Sequence, residues 1–141
     1  MTYMEFTING FQKKIIKPWG EEIIFTPENL DRTGKILKVK RDRKLSFQYH
    51  DQKEETLCLF SGRAVLWLEN NHRQIEKIPM KLYYGYTILP NQKHRIEALE
   101  DSLIFEVSSK EIGTTTRIED DYHRADETDE VRKRPNRGWQ E

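Results

Sequence analysis

Residues 45–62 read LSFQYHDQKEETLCLFSG, and their pattern carries the clearest structural signal in the chain. Its first part, residues 45–50, alternates apolar and polar side chains, which is typical of a half-buried strand. Successive side chains of a strand point to opposite faces, so Gln48 and His50 share one face. The polar residues 51–54 indicate a turn, and residues 55–60 form a second strand. The pattern therefore predicts an antiparallel hairpin that brings Glu55 beside His50.

Similar short runs continue on both sides of this hairpin. The further predicted strands are residues 22–26, 35–40, 63–68, 74–78, 86–89, 94–98 and 103–108. Turn-forming residues separate them, for example Asn70 and Asn71, which can adopt a positive φ. No stretch shows sustained helical periodicity, and the nearest candidate, residues 126–133, is too polar to bury a face. The sequence therefore predicts an all-β sandwich or barrel.

Length and composition limit the class of protein. The chain has 141 residues, which suits a single domain, and its 24 basic and 24 acidic side chains balance. We therefore expect no electrostatic attraction to nucleic acid or to an anionic membrane. The sequence shows neither a signal peptide nor an apolar run long enough to span a bilayer, which favours a cytoplasmic location. Cys58 has no second cysteine to pair with, and we expect it to pack as a small apolar residue.

The strand-rich region has flanks of different composition. Residues 1–16 form a polar N-terminal extension with alternating apolar positions, and residues 17–124 are the predicted barrel. Residues 125–141 are a charged C-terminal tail that we expect to be exposed or partly disordered.

Two histidines and two oxygen-bearing side chains form a candidate metal site. Gln48 and His50 share a face, Glu55 opens the next strand, and His94 begins a later strand after a turn. A mixed set of imidazole, carboxylate and amide ligands suits one divalent transition metal, zinc foremost, with manganese, iron, cobalt or nickel as alternatives. The alternative is that these residues are solvated side chains, because a Gln-x-His pair is common by chance and two histidines in a charged protein can simply be exposed.

The surroundings of these residues resemble a known superfamily. Gln48, His50, Glu55 and Gly62 follow in the spacing Gln-x-His-x-x-x-x-Glu-x-x-x-x-x-x-Gly. This resembles the first motif of the cupin superfamily, with Gln in place of its first His. The resemblance implies a cupin barrel, that is, a double-stranded β-helix or jelly roll.

Residues 85–94, GYTILPNQKH, resemble the second cupin motif, in which a Gly and an apolar strand precede Pro-x-Gly-x-x-His. In this alignment Leu89 stands at the Pro position, Asn91 at the Gly position and His94 at the His position. Asn is the best replacement for Gly in a left-handed turn, so Asn91 is predicted to have a positive φ.

Within the cupins, the chain is similar to the cupin domain of type II mannose-6-phosphate isomerases over about residues 15 to 124. The matching stretches are KPWG at 17–20, LSFQYH at 45–50, EV at 106–107 and RIEDDYHR at 117–124. The resemblance implies a metal held by Gln48, His50, Glu55 and His94. It also implies an aldose–ketose sugar phosphate substrate. Such a metal acts as a Lewis acid on the sugar oxygens.

The chain also departs from that family. The family's His-His-His-Arg-x-Glu is HDQKEE at residues 50–55, so Lys53 stands where the family has Arg. Lys keeps the charge but loses the bidentate geometry that suits phosphate. His123 stands where the family has Gly, and residues 114–116 are threonines in place of an acidic run. These departures affect the reaction more than the fold or the metal.

Three basic residues are candidate catalytic or substrate-binding groups. Lys53 could contact a phosphate at the barrel mouth or be a solvated turn lysine. Arg95 could contact substrate, although strand alternation points it away from His94. Arg117 could reach the barrel rim or form an ion pair near Glu119 or Asp120.

The sequence leaves three functions open. The first is a sugar phosphate isomerase, the second a metal cupin with another small substrate, such as an epimerase or a dioxygenase, and the third a non-enzymatic carbohydrate-binding cupin. Leu57, Leu59 and Leu66 suit one face of the predicted barrel, and Phe60 and Trp67 suit the other. Because both faces look apolar, we also expect a homodimer.

Overall fold

The computed structural model describes residues 5–139, in which two antiparallel sheets enclose a common interior. The strands are β1 (Lys13–Lys17), β2 (Gly20–Ile24), β3 (Arg32–Val39), β4 (Phe47–His50), β5 (Glu55–Ser61), β6 (Ala64–Glu69), β7 (Ile75–Pro79), β8 (Gly85–Ile88), β9 (His94–Ala98), β10 (Ser102–Ser109) and β11 (Thr115–Glu119). The six-stranded sheet has the order β1-β2-β3-β10-β5-β8, and the five-stranded sheet has the order β11-β4-β9-β6-β7. This arrangement confirms the predicted all-β cupin barrel.

The predicted hairpin of β4 and β5 is wrong. The strand β4 pairs with β11 and β9 in one sheet, whereas β5 pairs with β10 and β8 in the other. The turn at residues 51–54 therefore crosses from one sheet to the other. Glu55 does approach His50, but it does so across the barrel interior, because both side chains point inward from opposite walls.

Alternation along the strands positions the core as the sequence predicts. Leu57 and Leu59 of β5 and Leu66 of β6 are buried, while Phe60 is exposed on the outer face. The buried apolar cluster also contains Trp19, Leu37, Val39, Ala64, Met80, Ile88, Ile96, Ala98 and Ile104. Cys58 is half-buried on the outer side of β5, between the inward-pointing Leu57 and Leu59.

Two turns show how local sequence fixes the barrel. Asn91 has a φ of 67°, which confirms the left-handed conformation expected at this position of the second motif. The hairpin of β6 and β7 forms as predicted, but its positive φ of 61° falls on Arg73 and not on Asn70 or Asn71. The side chain of Asn70 instead accepts hydrogen bonds from the backbone of His72 and Gln74.

Two strands were not predicted from the sequence patterns. The strand β1 pairs with β2 along its whole length, and β11 pairs with β4. Both are rich in lysine or threonine and lie at sheet edges, where burial imposes less alternation. Domain boundaries at residues 16 and 124 stay a prediction.

The C-terminal segment is not the exposed tail that its charge suggested. A short helix, α1 (Asp129–Arg132), is capped by the Thr128 side chain, which accepts a hydrogen bond from the Val131 amide. Val131 and Arg137 are buried, and a turn of 3-10 helix follows at Arg137–Trp139. Charged side chains are buried here because the interior that they enter is itself charged. Among residues 5–139, no helix has the length and apolarity needed to cross a membrane.

Candidate metal centre

Three of the four predicted ligands converge inside the barrel. His50 ends β4, Glu55 begins β5 and His94 begins β9, and their candidate ligand atoms all lie within 4.8 Å of one another. Glu55 Oε1 is 3.0 Å from His94 Nε2 and 3.4 Å from His50 Nε2. Ligand atoms about 2.1 Å from a shared ion lie roughly 3.0–3.5 Å apart, so the separations suit a transition metal. All three side chains are buried.

Hydrogen bonds orient both imidazoles for this role. The Nδ1 atom of His50 is 2.7 Å from Thr115 Oγ1, and that of His94 is 2.9 Å from the backbone oxygen of Gln92. An Nδ1–H bond of this kind fixes the tautomer that leaves Nε2 free for a metal. Both Nε2 atoms are buried, and neither has a hydrogen-bond partner among the described residues. Buried polar atoms are rarely left so, and a shared cation would satisfy both.

The electrostatics keep His50 and Glu55 in their ligand forms. Burial lowers the pKa of His50 to about 4, and the Lys53 ammonium adds to the effect, so the ring is neutral at neutral pH. Burial alone would raise the pKa of Glu55, but the nearby Lys53 ammonium holds it well below its usual range. Neutral imidazoles and an ionised carboxylate are the forms that bind metals.

Gln48 lies next to this group. It is the cross-strand partner of His94, and it lines the same cavity as the three buried ligands. Its amide oxygen accepts a hydrogen bond from the hydroxyl of Ser46. Its role as the fourth ligand stays a prediction.

Lys53 is not the solvated turn lysine that its sequence context allowed. Its side chain is only 8% exposed, and its ammonium lies 3.2 Å from Glu55 Oε2 and 3.3 Å from Glu106 Oε2. Burial opposes its charge, but the two carboxylates more than compensate and raise its pKa. Lys53 therefore contacts the candidate ligand Glu55 through Oε2, whereas the two histidines face Oε1.

Glu106 is the site residue that sequence reasoning missed. It lies on β10, where Ser102, Ile104, Glu106 and Ser108 point inward, so it is a lone carboxyl group on a buried face. A charged residue at an inward position of an apolar strand was the available signal. Burial, together with the nearby Glu55, raises the pKa of Glu106 to about 8.

Beyond Glu106 the interior continues as a network of buried charges, which we call the ionic cluster. Lys35 lies 3.1 Å from both Glu22 and Glu111, and Arg137 lies 3.0 Å from Glu111 and 3.2 Å from Glu127. The members of the ionic cluster are Lys17, Glu22, Lys35, Glu106, Glu111, Glu127, Arg132 and Arg137. Each carboxylate of the cluster is therefore close to at least one cation.

The two predicted arginines have different surroundings. Arg95 is fully buried, donates to the backbone oxygen of Leu45 at 2.7 Å, and forms ion pairs with Glu119 and Asp121. Its guanidinium is therefore occupied by protein groups. Arg117 lies opposite Gln48 across the β4–β11 pair and lines the cavity, and its Nε is buried with no hydrogen-bond partner among the described residues. Catalytic roles for Lys53, Arg95 and Arg117 stay predictions, and the geometry favours Arg117 over Arg95.

The free space beside the candidate metal centre is small. It amounts to about 50 Å³, which holds a few water molecules at most. Sites for small molecules usually measure roughly 300–1,000 Å³. Side chains of the charged interior, among them Lys35, Glu106 and Glu127, line this space.

Comparison with known proteins supports the fold more than any activity. No family model matches the sequence, and no curated protein matches it significantly. Among solved structures, KdgF from a Halomonas species has a TM-score of 0.59 at 19% identity, covering 71% of this chain and 87% of its own. Oxalate decarboxylase from Bacillus subtilis has a TM-score of 0.66 at 12% identity, covering 82% of this chain and 33% of its own.

A third neighbour is Streptomyces Pac13, a nucleoside dehydratase whose structure was determined with uridine. It has a TM-score of 0.58 at 15% identity, covering 78% of this chain and 84% of its own. These neighbours are cupin-fold proteins that differ in chemistry, so at these identities they establish the fold alone. The chain thus has the cupin fold, with a His-Glu-His group in its interior that could hold a metal ion.

Proposed function

We propose that the protein is a metal-dependent cupin enzyme that isomerises a small sugar phosphate between aldose and ketose forms. The observation that carries the metal site is the pair of buried Nε2 atoms of His50 and His94, which face one carboxylate oxygen of Glu55 without hydrogen-bond partners of their own. The resemblance of residues 15 to 124 to type II mannose-6-phosphate isomerases supports the reaction class.

The residues that would hold the ion are His50, Glu55 and His94, with Gln48 as a fourth ligand. When bound, a divalent metal supplies Lewis-acid polarisation of substrate oxygens. Isomerisation also needs a group that moves a proton between neighbouring carbons through an enediol. Glu106 is the candidate by position, since its carboxyl group lies within the same interior and contacts Lys53 at 3.3 Å. Arg117, which lines the same cavity, would bind an anionic part of the substrate.

The first test is the metal content of the purified protein, measured by elemental analysis. We expect near-stoichiometric transition metal in the wild type and its loss in the double variant His50→Ala, His94→Ala. The matched control is His72→Ala, because His72 lies in the exposed turn between β6 and β7. Absence of metal after incubation with zinc, manganese, iron, cobalt and nickel would contradict the metal site.

The second test is the interconversion of mannose 6-phosphate and fructose 6-phosphate by metal-loaded protein, followed by NMR. We expect turnover that is lost in Glu106→Gln while metal content is retained. A metal-loaded protein that does not interconvert these or other aldose and ketose phosphates would refute the isomerase. That result would leave the metal site standing, so the two parts of the proposal fail separately.

One observation favours a second candidate, a carbohydrate-binding cupin without catalysis. The interior next to the ligands has only about 50 Å³ of free space and is filled by paired charges. Under this proposal a metal-free protein would keep its full thermal stability. Sugar binding without turnover, measured by calorimetry, would support it over the isomerase.

A further inference from the structure

Residues 5–12, which precede β1, form an arm whose residues are all exposed. Phe6 and Ile8 are fully exposed, at 104% and 102%, and residues 5–12 have no regular secondary structure. Phe6 and Ile8 are two positions apart, so they would share one face if the arm became a strand. Residues 6–12 carry no charge. Fully exposed apolar side chains in an uncharged segment indicate a surface that becomes buried when the protein binds a partner.

The outer face of the six-stranded sheet carries a matching apolar surface, which we call the aromatic face and define as Phe60, Tyr83, Phe105 and Val107. Phe60 stacks on Phe105 with ring centroids 5.0 Å apart, and Tyr83 packs edge-on against Phe60 at 5.8 Å. Phe60 is nevertheless 47% exposed, Tyr83 69% and Val107 63%. Because β5 and β10 are neighbours in the sheet, these side chains form a contiguous patch.

The aromatic face lies close to an open edge of the same sheet. The sheet ends at β8, whose pairing partner among the described strands is β5 alone. Leu82, Tyr83 and Tyr84, which precede β8, are all exposed. An open edge beside exposed apolar side chains is a surface that readily accepts an extended segment.

We propose that two copies of this chain form a symmetric dimer in which the arm of each copy, residues 5–12, lies on the aromatic face of the other. Phe6 and Ile8 then contact Phe60, Tyr83 and Phe105 of the partner copy. The partner is a second copy of this chain, because each copy carries both an arm and an aromatic face. Residues 6–12 of the arm and the aromatic face carry no charged side chain, and the net charge of the chain is zero, so no strong repulsion opposes the contact.

The length of the arm and the surface area that the contact would bury both allow this dimer. An extended arm of this length spans roughly 25 Å, which exceeds the width of several strands at about 4.8 Å each. Two-fold symmetry doubles every contact, so Phe6 and Phe60 place four rings in the interface. Large aromatic side chains bury about 150–250 Å² each. Together with the remaining arm residues, they approach the roughly 1,200–2,000 Å² typical of a specific interface.

The first experiment is light scattering coupled to gel filtration at micromolar protein. For the wild type we expect a mass twice the 17.0 kDa of the chain. The double variant Phe6→Asp, Ile8→Asp and the separate variant Phe60→Asp are each expected to weaken dimerisation at least tenfold. Thr7→Asp, on the other side of the arm, and Ile75→Asp, an exposed residue of the other sheet, are the controls that stay dimeric. A monomeric wild type would overturn the proposal, and so would a dimer that both arm and face variants leave intact.

The second experiment tests the contact directly with the native Cys58, which lies opposite Phe105 in the β5–β10 pair. We expect Ile8→Cys to form an interchain disulfide with Cys58 under mild oxidation, seen as a dimer band on a non-reducing gel. The wild type and Ile75→Cys are the controls that stay monomeric on the gel. A disulfide within one chain would show that the arm folds onto its own sheet, which would also overturn the proposal.

Discussion

The Nδ1 atom of His50 and the hydroxyl oxygen of Thr115 lie 2.7 Å apart, and the two residues are direct partners across the β4–β11 pair. The hydroxyl is buried with the imidazole. An edge strand that the sequence patterns did not reveal therefore sets the orientation of a candidate metal ligand.

We expect Thr115→Val to weaken metal binding by about 10–100-fold, because the imidazole loses the acceptor that fixes its tautomer. The measurement is competition with a chromophoric chelator for zinc or cobalt. Thr116→Val is the matched control, since alternation along β11 points Thr116 away from His50. Equal affinities for the wild type and Thr115→Val would contradict a positioning role for Thr115.

The ion pairs of Lys53 predict a large effect on stability. Lys53→Met would leave the ionised Glu55 carboxylate buried beside Glu106 without its cation, which costs about 3–5 kcal/mol. The measurement is urea unfolding of the metal-free protein. We expect the second substitution Glu106→Gln to restore part of the loss, whereas Lys110→Met at an exposed position should change little. A single variant as stable as the wild type would show that the pairing is not needed.

The ionic cluster predicts a loss of stability in acid. Burial alone would raise the pKa of Glu127, and Glu111 acts in the same direction, but Lys17 and Arg137 hold it at about 2, below the ordinary 4.5. The folded state therefore binds this proton less readily than the unfolded state. Its contribution is complete above about pH 4.5 and is lost as the pH falls towards 2.

The variant Glu127→Gln tests this contribution. We expect lower stability at neutral pH and a flatter dependence of the free energy of unfolding on pH between 4.5 and 2, by up to one proton. Glu130→Gln, at an exposed position in α1, is the control. An acid limb that is unchanged in Glu127→Gln would mean that other groups account for it.

The positive φ of Asn91 predicts the effect of substitutions in the turn before β9. Asn91→Gly should be tolerated, while Asn91→Ala should cost about 1–2 kcal/mol, because the left-handed region disfavours Ala. The Asn91 amide also donates to the backbone oxygen of His50 at 2.7 Å, so the turn is tied to a ligand strand. Thermal unfolding measures the effect, with Asn71→Ala as the control. Equal melting temperatures for the Ala and Gly variants at residue 91 would contradict it.

Alternation and motif spacing predicted much of the barrel and of the site. They placed Leu57 and Leu59 in the core and brought His50, Glu55 and His94 together. Spacing cannot say which sheet a strand joins, so the same reasoning paired β4 with β5, which in fact face each other across the interior.

The charged part of the interior was beyond sequence reasoning for a different reason. Burial of Lys53 or Arg137 is favourable only when partners from distant strands surround it, and those partners are known only from the fold. A rule that places charge outside therefore failed for Glu127 and Arg137. Arg137 pairs with Glu22 of β2 and with Glu111 of the loop before β11.

The position of Arg137 in the ionic cluster also bears on synthesis of the chain. Glu22 and Glu111 leave the ribosome before Arg132 and Arg137, so a nascent chain carries interior carboxylates that lack these cations. Lys35 is present at that stage and pairs with both carboxylates, but closing the barrel without the two arginines would bury charge that is only partly compensated. We therefore expect the last step of folding to wait until residue 137 has emerged, which makes this a domain that matures after most of its sheet has been translated.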